Sequence, residues 1–355
     1  PELLSDSPKS LEDLKKIRQT RKEDSEAGKE LLKKEIQTSN ELKAWWIDEM
    51  KTTEFPLREK MTLFWENHFV TAYQKVKVNY WIFQKNQLLR ENAFGNFKTL
   101  TKKAMQTNAM VRYLDNVDNK KGKLNENLSR ELLELFTLGI GHYSEADIKN
   151  GAKGLAGLGV GETTAMYRRF LEDNDPIEYL GKKGVLKLDE MVDAIFDHPK
   201  IPYLLTQKIL QWFLYDEPKE NLVKHYGDYF RKVNFEIKPL LIKIFTEEFA
   251  KNDTAGSKIK NPLEYILLLT SELKTQRPES TTIAFFLKQQ GMDLFNPPNV
   301  KGWDGGKSWL TSQIYLQRNN VADLLSSGKS IPRSKLEREN TLNKKQAFSI
   351  SLDWN

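Results

Sequence analysis

The sequence contains no cysteine, which excludes disulfides, thiolate nucleophiles and cysteine-built zinc sites. Histidine is almost as scarce. Only His68, His142, His198 and His225 occur in 355 residues, so a histidine-rich centre would need scattered positions to converge on folding. No apolar run reaches the roughly 18–20 residues that span a bilayer, and no transmembrane segment is expected. No block of one charge sign stands apart either. The 55 Lys and Arg against 49 Asp and Glu leave a net charge of +6 on a densely mixed surface, so no nucleic-acid partner is expected. What the chain does have is 39% hydrophobic and 29% charged residues, the balance of a globular protein rather than a disordered one. It is long enough to bury a large core in one big domain or two ordinary ones. The first residue is Pro1, so a start codon and any signal peptide are expected upstream of it.

Strand signals are few and helical periodicity runs through the whole chain. The expected fold is all-α. It is a large multi-helix assembly with a long ordered loop near 158–184 and a Gly/Trp loop near 296–307. The expected organisation is one helical domain over 1–327, with a possible subdivision near 158–184, followed by a polar C-terminal tail over 328–355. Ser10 with Asp13 has capping-box spacing and opens a charged helix over 10–38. Asn40 is expected to cap the next helix, which carries Trp45, Trp46 and Ile47, and Pro56 suits the first turn of the one after.

Four stretches carry candidate chemistry. In "KLNENLSRELLELFTLGIGHY", residues 123–143, helical geometry gathers Asn127, Arg130, Glu131 and Glu134 into one arc of about 100°, opposite Leu128, Leu132, Leu133 and Phe136. Arg130 can fork to a carboxylate and Asn127 can donate and accept, whereas one of Asn125 and Asn127 is needed simply to cap the helix. Such a face is either a solvated set of ion pairs or a polar network lining a site. In "PLREKMTLFWENHFVTA", residues 56–72, His68 shares an apolar face with Leu57, Met61 and Phe64. A histidine there is either a satisfied core residue or a general acid–base. No second histidine or carboxylate stands at metal-ligand spacing, so no metal site and no cofactor are assigned. In "NPPNVKGWDGGKSW", residues 296–309, two prolines and three glycines stiffen a loop presenting Trp303 and Trp309. Either both rings pin the loop to the core, or one stacks on a sugar ring. In "FLEDNDPIEYLG", residues 170–181, Asp173, Asn174, Asp175 and Glu178 offer oxygens, but the spacing departs from a calcium loop.

The pieces "LFWENHFVTA", "MVRYLDN", "NENLSRELLELFTLGIGHYSEADI", "NPPNVKGW" and "WLTSQIYLQRNN", in this order over about residues 56–320, resemble an uncharacterised bacterial family known as domain of unknown function 1800. The resemblance implies a predominantly helical protein that is exported to the periplasm or outside the cell. It also implies a possible partner in a second exported protein encoded nearby. Asn67 and His68 match the family's Asn-His-Phe. Asn125, Glu126, Asn127, Arg130, Glu131 and Glu134 match its central helix, and Gly302 with Trp303 its late loop. Three departures are Glu66 in place of a histidine, Ala156-Gly157-Leu158 in place of Thr-Gly-Trp, and Glu172-Asp173 in place of His-Asp in a segment that also lacks the family's lysine. The fixed Asn, Arg and Glu positions favour burial of the central polar face. The function expected is structural, or ligand- or partner-binding through Asn67, Asn127, Gly302 and Trp303. One alternative is a hydrolase acting on glycan or another polymer, with Glu131 and Glu134 as acid and base beside Arg130 and His68. A second is a metal-dependent enzyme using His68, Glu66 or the 172–178 acidic loop.

Overall fold

The computed structural model describes residues 2–251, 258–273 and 279–327. The expected tail over 328–355 lies outside the described residues. Among these residues are sixteen α-helices and two two-stranded antiparallel sheets, so the protein is predominantly all-α.

The first helix, α1 (Leu11–Glu23), opens on the expected capping box, with Ser10 and Asp13 exchanging hydrogen bonds. It ends earlier than the periodicity suggests. Asp24 has an extended backbone, and its carboxylate accepts from the N–H groups of Glu26 (2.9 Å) and Ala27 (3.0 Å). That satisfies two orphan donors and starts α2 (Ser25–Thr52), which runs straight through Asn40, so the expected break there does not occur. At 28 residues α2 is about 42 Å long. Its buried face carries Leu42, Trp46 and Ile47, and it packs on α1 and on the helix Ser280–Gln289 near the other end of the chain.

Helix α3 (Pro56–His68) starts on its proline as expected, and is followed by α4 (Tyr73–Val76), α5 (Asn79–Glu91), α6 (Phe97–Met105) and α7 (Asn108–Tyr113). The central helix, α8 (Asn127–Glu134), is shorter than its apolar pattern, and Asn125, just ahead of the N-cap Glu126, accepts from the Asn127 N–H at 3.0 Å. Its apolar face sits on α9 (Glu145–Gly154). The two come close because Gly151 has no side chain: a Cβ there would lie 2.1 Å from Ser129 Oγ and 3.0 Å from the Tyr179 ring.

The 158–184 segment is ordered, as expected, but by two small hairpins rather than as plain loop. Leu158–Gly159 (β1) pairs with Met166–Tyr167 (β2), and Ile177–Tyr179 (β3) with Lys182–Gly184 (β4). Leu180 and Gly181 turn the second hairpin with positive φ at both positions. Its acidic residues are neutralised locally: Lys187 pairs with Glu172 at 3.1 Å, and Lys121 lies 3.3 Å from Asp175 and 3.7 Å from Asp173.

The second half contains α10 (Leu188–Asp197), α11 (Ile201–Phe213), α12 (Glu220–Lys232), α13 (Ile237–Glu248), α14 (Pro262–Glu272), α15 (Ser280–Gln289) and α16 (Ser312–Ser327). One contiguous hydrophobic cluster runs from Leu4 to Leu325, on both sides of the hairpin segment. At its centre Trp65 meets Phe64, His68, Phe69 and Phe97, with ring centroids 5.0–6.0 Å apart. None of the described helices is long and apolar enough to cross a membrane.

Candidate functional site

Helix α3 enters the core at its C-terminal end, and three of its residues, Phe64, Asn67 and His68, line the wall of a cavity of about 460 Å³. Lys208 and Trp212 of α11 and the 301–309 loop complete much of that wall, with Asn261 and Lys258 at the start of α14. The loop is held to α3 by a two-bond clasp. The Trp303 N–H donates to Asn67 Oδ1 at 2.7 Å, and Asn67 Nδ2 donates to the Trp303 carbonyl at 3.2 Å. Gly302 permits this approach. It has φ +85°, and a Cβ there would lie 2.2 Å from Asn67 Oδ1. Three positions singled out in the sequence, Asn67, Gly302 and Trp303, therefore meet in space 235 residues apart in the chain (67 against 302). Trp303 and Trp309 are both buried, each 6% exposed, so both rings pin the loop to the core as well as lining the cavity.

His68 is buried beside this clasp. Its Nε2 lies 3.0 Å from the Phe136 carbonyl, which can only accept, so Nε2 carries the proton and Nδ1 is left as an acceptor. Lys208 Nζ stands 3.4 Å from that Nδ1 and donates to the Leu135 carbonyl at 2.9 Å. Burial, reinforced by the Lys208 charge, holds the imidazole pKa well below its ordinary value, so the ring is neutral. Burial also pushes the Lys208 amine down to about 8. Among the described residues Lys208 has no carboxylate partner, and its donors are met only by neutral groups.

Several donors around the cavity have no acceptor. Trp212 Nε1, Trp303 Nε1 and Asn261 Nδ2 are buried without a hydrogen-bond partner. The aromatic rings of Phe64, Trp212, Trp303 and Trp309 supply flat apolar wall, and Asp216 and Asp304 contribute acceptors. Lys208, Trp212 and Asn261 went unread in the sequence. One signal was there: α11 reads "IPYLLTQKILQWF", and Lys208 is its one charged residue.

The central polar helix sits elsewhere. Asn127, Arg130, Glu131 and Glu134 are half-buried rather than enclosed, and none lines the cavity. This corrects the expected burial of that face. The physical reason is the direction of its partners: Arg130 forks outward to Glu145, with both guanidinium nitrogens at 3.1 Å, and to Glu126 at 3.4 Å. Glu134 accepts from the Tyr143 hydroxyl at 2.8 Å. Burial, and next the neighbouring Glu134, raise the Glu131 carboxyl pKa, while Arg130 and then Lys301 on the cavity wall oppose that shift.

The enclosed polar network lies on α3 and α5 instead. Arg90 forks to Glu59 at 2.7 and 2.9 Å, and Trp46 Nε1 donates to the same carboxylate at 3.0 Å. Lys85 is wholly buried. Its Nζ lies 2.7 Å from Glu66 and donates to the Phe69 carbonyl (2.5 Å) and Thr71 Oγ1 (2.9 Å), which uses all three protons. Glu66, where the resemblance implies a histidine, is thus half of a buried ion pair. Among the described residues no three His, Asp or Glu side chains stand close enough to hold a metal ion.

No curated protein and no solved structure matches the chain. One family model matches residues 2–351, nearly the whole sequence, and the chain belongs to that family, described as protein of unknown function (DUF1800).

Proposed function

We propose that this is a ligand-binding protein whose cavity between α3, α11 and the 301–309 loop takes a small sugar-class molecule. The observation that carries this reading is one cavity whose wall combines three side chains with unpartnered donors, the Trp212 and Trp303 indoles and the Asn261 amide, with a Lys208 amine that is bonded only to neutral groups. A buried donor left unpaired costs free energy, and a ligand oxygen offsets it. A sugar carries oxygens on its rim and an apolar C–H face that fits the indole and phenyl walls. Its hydroxyls can also donate to Asp216 and Asp304 at the wall. The expected periplasmic or extracellular setting, and a partner in a second exported protein encoded nearby, rest on the family resemblance. Cell fractionation and co-purification test them.

The test of the cavity is a thermal-shift and calorimetry panel of neutral monosaccharides, disaccharides and uronic acids. A binder at a hundredfold excess over its Kd is expected to stabilise the fold by about 2.7 kcal/mol. Trp212→Phe, which keeps a ring but removes one N–H, should weaken that binder, and Lys208→Met should do so more. A panel without a hit, or a hit that neither variant weakens, would overturn the reading.

A further inference from the structure

A second cavity, of about 250 Å³, shares no lining residue with the first. Its walls come from α1, Trp81 of α5, Arg112 of α7, the 116–119 turn, the 157–160 segment with β1, and Arg168 with Leu171. Three cations line it, Lys15, Arg112 and Arg168, against one carboxylate, the exposed Asp118. Among the described residues none of the three forms an ion pair with a carboxylate. Arg168 donates one bond, from Nη2 to the Val160 carbonyl at 3.2 Å, and the half-buried Arg112 guanidinium makes no side-chain hydrogen bond. Like charges gathered around one small cavity repel each other unless an anion lies between them. The rest of the lining is apolar and firmly built. Trp81 and Leu158 are each 1% exposed. Asn116 and Asn119 are spent on holding the wall, donating to the carbonyls of Leu155, Leu158 and Ala152.

We propose that this cavity binds a small organic monoanion with an apolar body, its carboxylate gripped by Arg112, Arg168 and Lys15 and its body laid against Trp81 and Leu158. Guanidinium groups match carboxylate geometry through paired N–H donors, and an apolar floor rewards a hydrocarbon tail over a bare ion. Gly159 offers a way to close the site. A Cβ there would meet only Arg168 Nε, at 3.9 Å, so a side chain at this position starts in open space beside the guanidinium.

The experiment is calorimetry on the full chain with octanoate, octanamide and inorganic phosphate. Octanoate is expected to bind saturably at one site, and both octanamide and phosphate at least about tenfold more weakly, since each lacks one half of the recognition. Arg112→Ala and Gly159→Val should each weaken octanoate by a similar factor, and the exposed Lys15→Ala by less. Where Arg112→Ala fails to fold, Gly159→Val and Lys15→Ala carry the test. Equal binding of octanamide would overturn the charged grip, equal binding of phosphate the apolar half, and unchanged octanoate affinity in Gly159→Val the location.

Discussion

Helix α5 buries Lys85 completely against Glu66, whereas α8 leaves the Arg130 side chain 37% exposed between Glu126 and Glu145. The sequence draws attention to the second, where Asn, Arg and Glu crowd one arc. The first reads as ordinary charged helix. The difference lies in what surrounds each charge. Lys85 falls in line with Trp81 and Leu89, at helical spacing on a face that meets α3, so its ammonium has to be satisfied inside the protein. Arg130 lies opposite α8's leucines and reaches partners that are themselves at the surface. Polar richness is therefore a poor guide to enclosure. A lone charge on an otherwise apolar stripe is the better one.

The largest effect expected from this contrast is in the buried pair. Lys85→Ala strands the Glu66 carboxylate and removes the donor to Phe69 and Thr71, and should cost about 3–5 kcal/mol in urea unfolding. The double change Lys85→Met with Glu66→Gln removes both charges and should recover much of that loss. If Lys85→Ala cost under about 1 kcal/mol, the pair would be no more than a surface-grade bridge and the comparison would collapse.

A smaller effect should appear with pH. The folded His68 pKa is depressed, so between it and the ordinary value near 6.5 the unfolded chain binds a proton that the folded one does not. His68 therefore favours folding less as the pH falls below about 6.5, and its contribution is complete only above that value. Unfolding free energies of wild type and His68→Gln, measured from pH 8 to pH 5, should show the wild type losing ground to the variant on the acid side. A constant gap would mean that His68 binds its proton equally well folded and unfolded, and that burial does not hold the ring neutral.

The smallest effect is expected at the position the sequence advertises most. Arg130→Ala should leave the urea midpoint nearly unchanged, because its ion pairs are screened by solvent. A loss comparable to that of Lys85→Ala would show that the α8 face acts as an enclosed network after all.

The helical class, the capping box at Ser10 and the start at Pro56 were legible because each depends on a few adjacent residues. The break at Asp24 was missed since Asn40 offers an equally good local cap, and nothing local says which of the two the chain uses. Within the candidate site, Asn67, His68, Gly302 and Trp303 were readable as unusual residues in stiff or apolar settings. Their convergence was not, nor was the part played by Trp212 and Asn261, whose meaning depends on neighbours far away in the chain.

What the sequence determined by itself is the periodicity that makes helices, the absence of cysteine chemistry and the glycine at position 302 that a close approach requires. What only the tertiary structure decided is which charges are enclosed and which buried donors are left without acceptors. The physical reason is that hydrogen-bond satisfaction and burial are properties of packed pairs, and the pairs that matter here, Glu66 with Lys85, His68 with Lys208 and Asn67 with Trp303, lie 19, 140 and 236 residues apart in the chain.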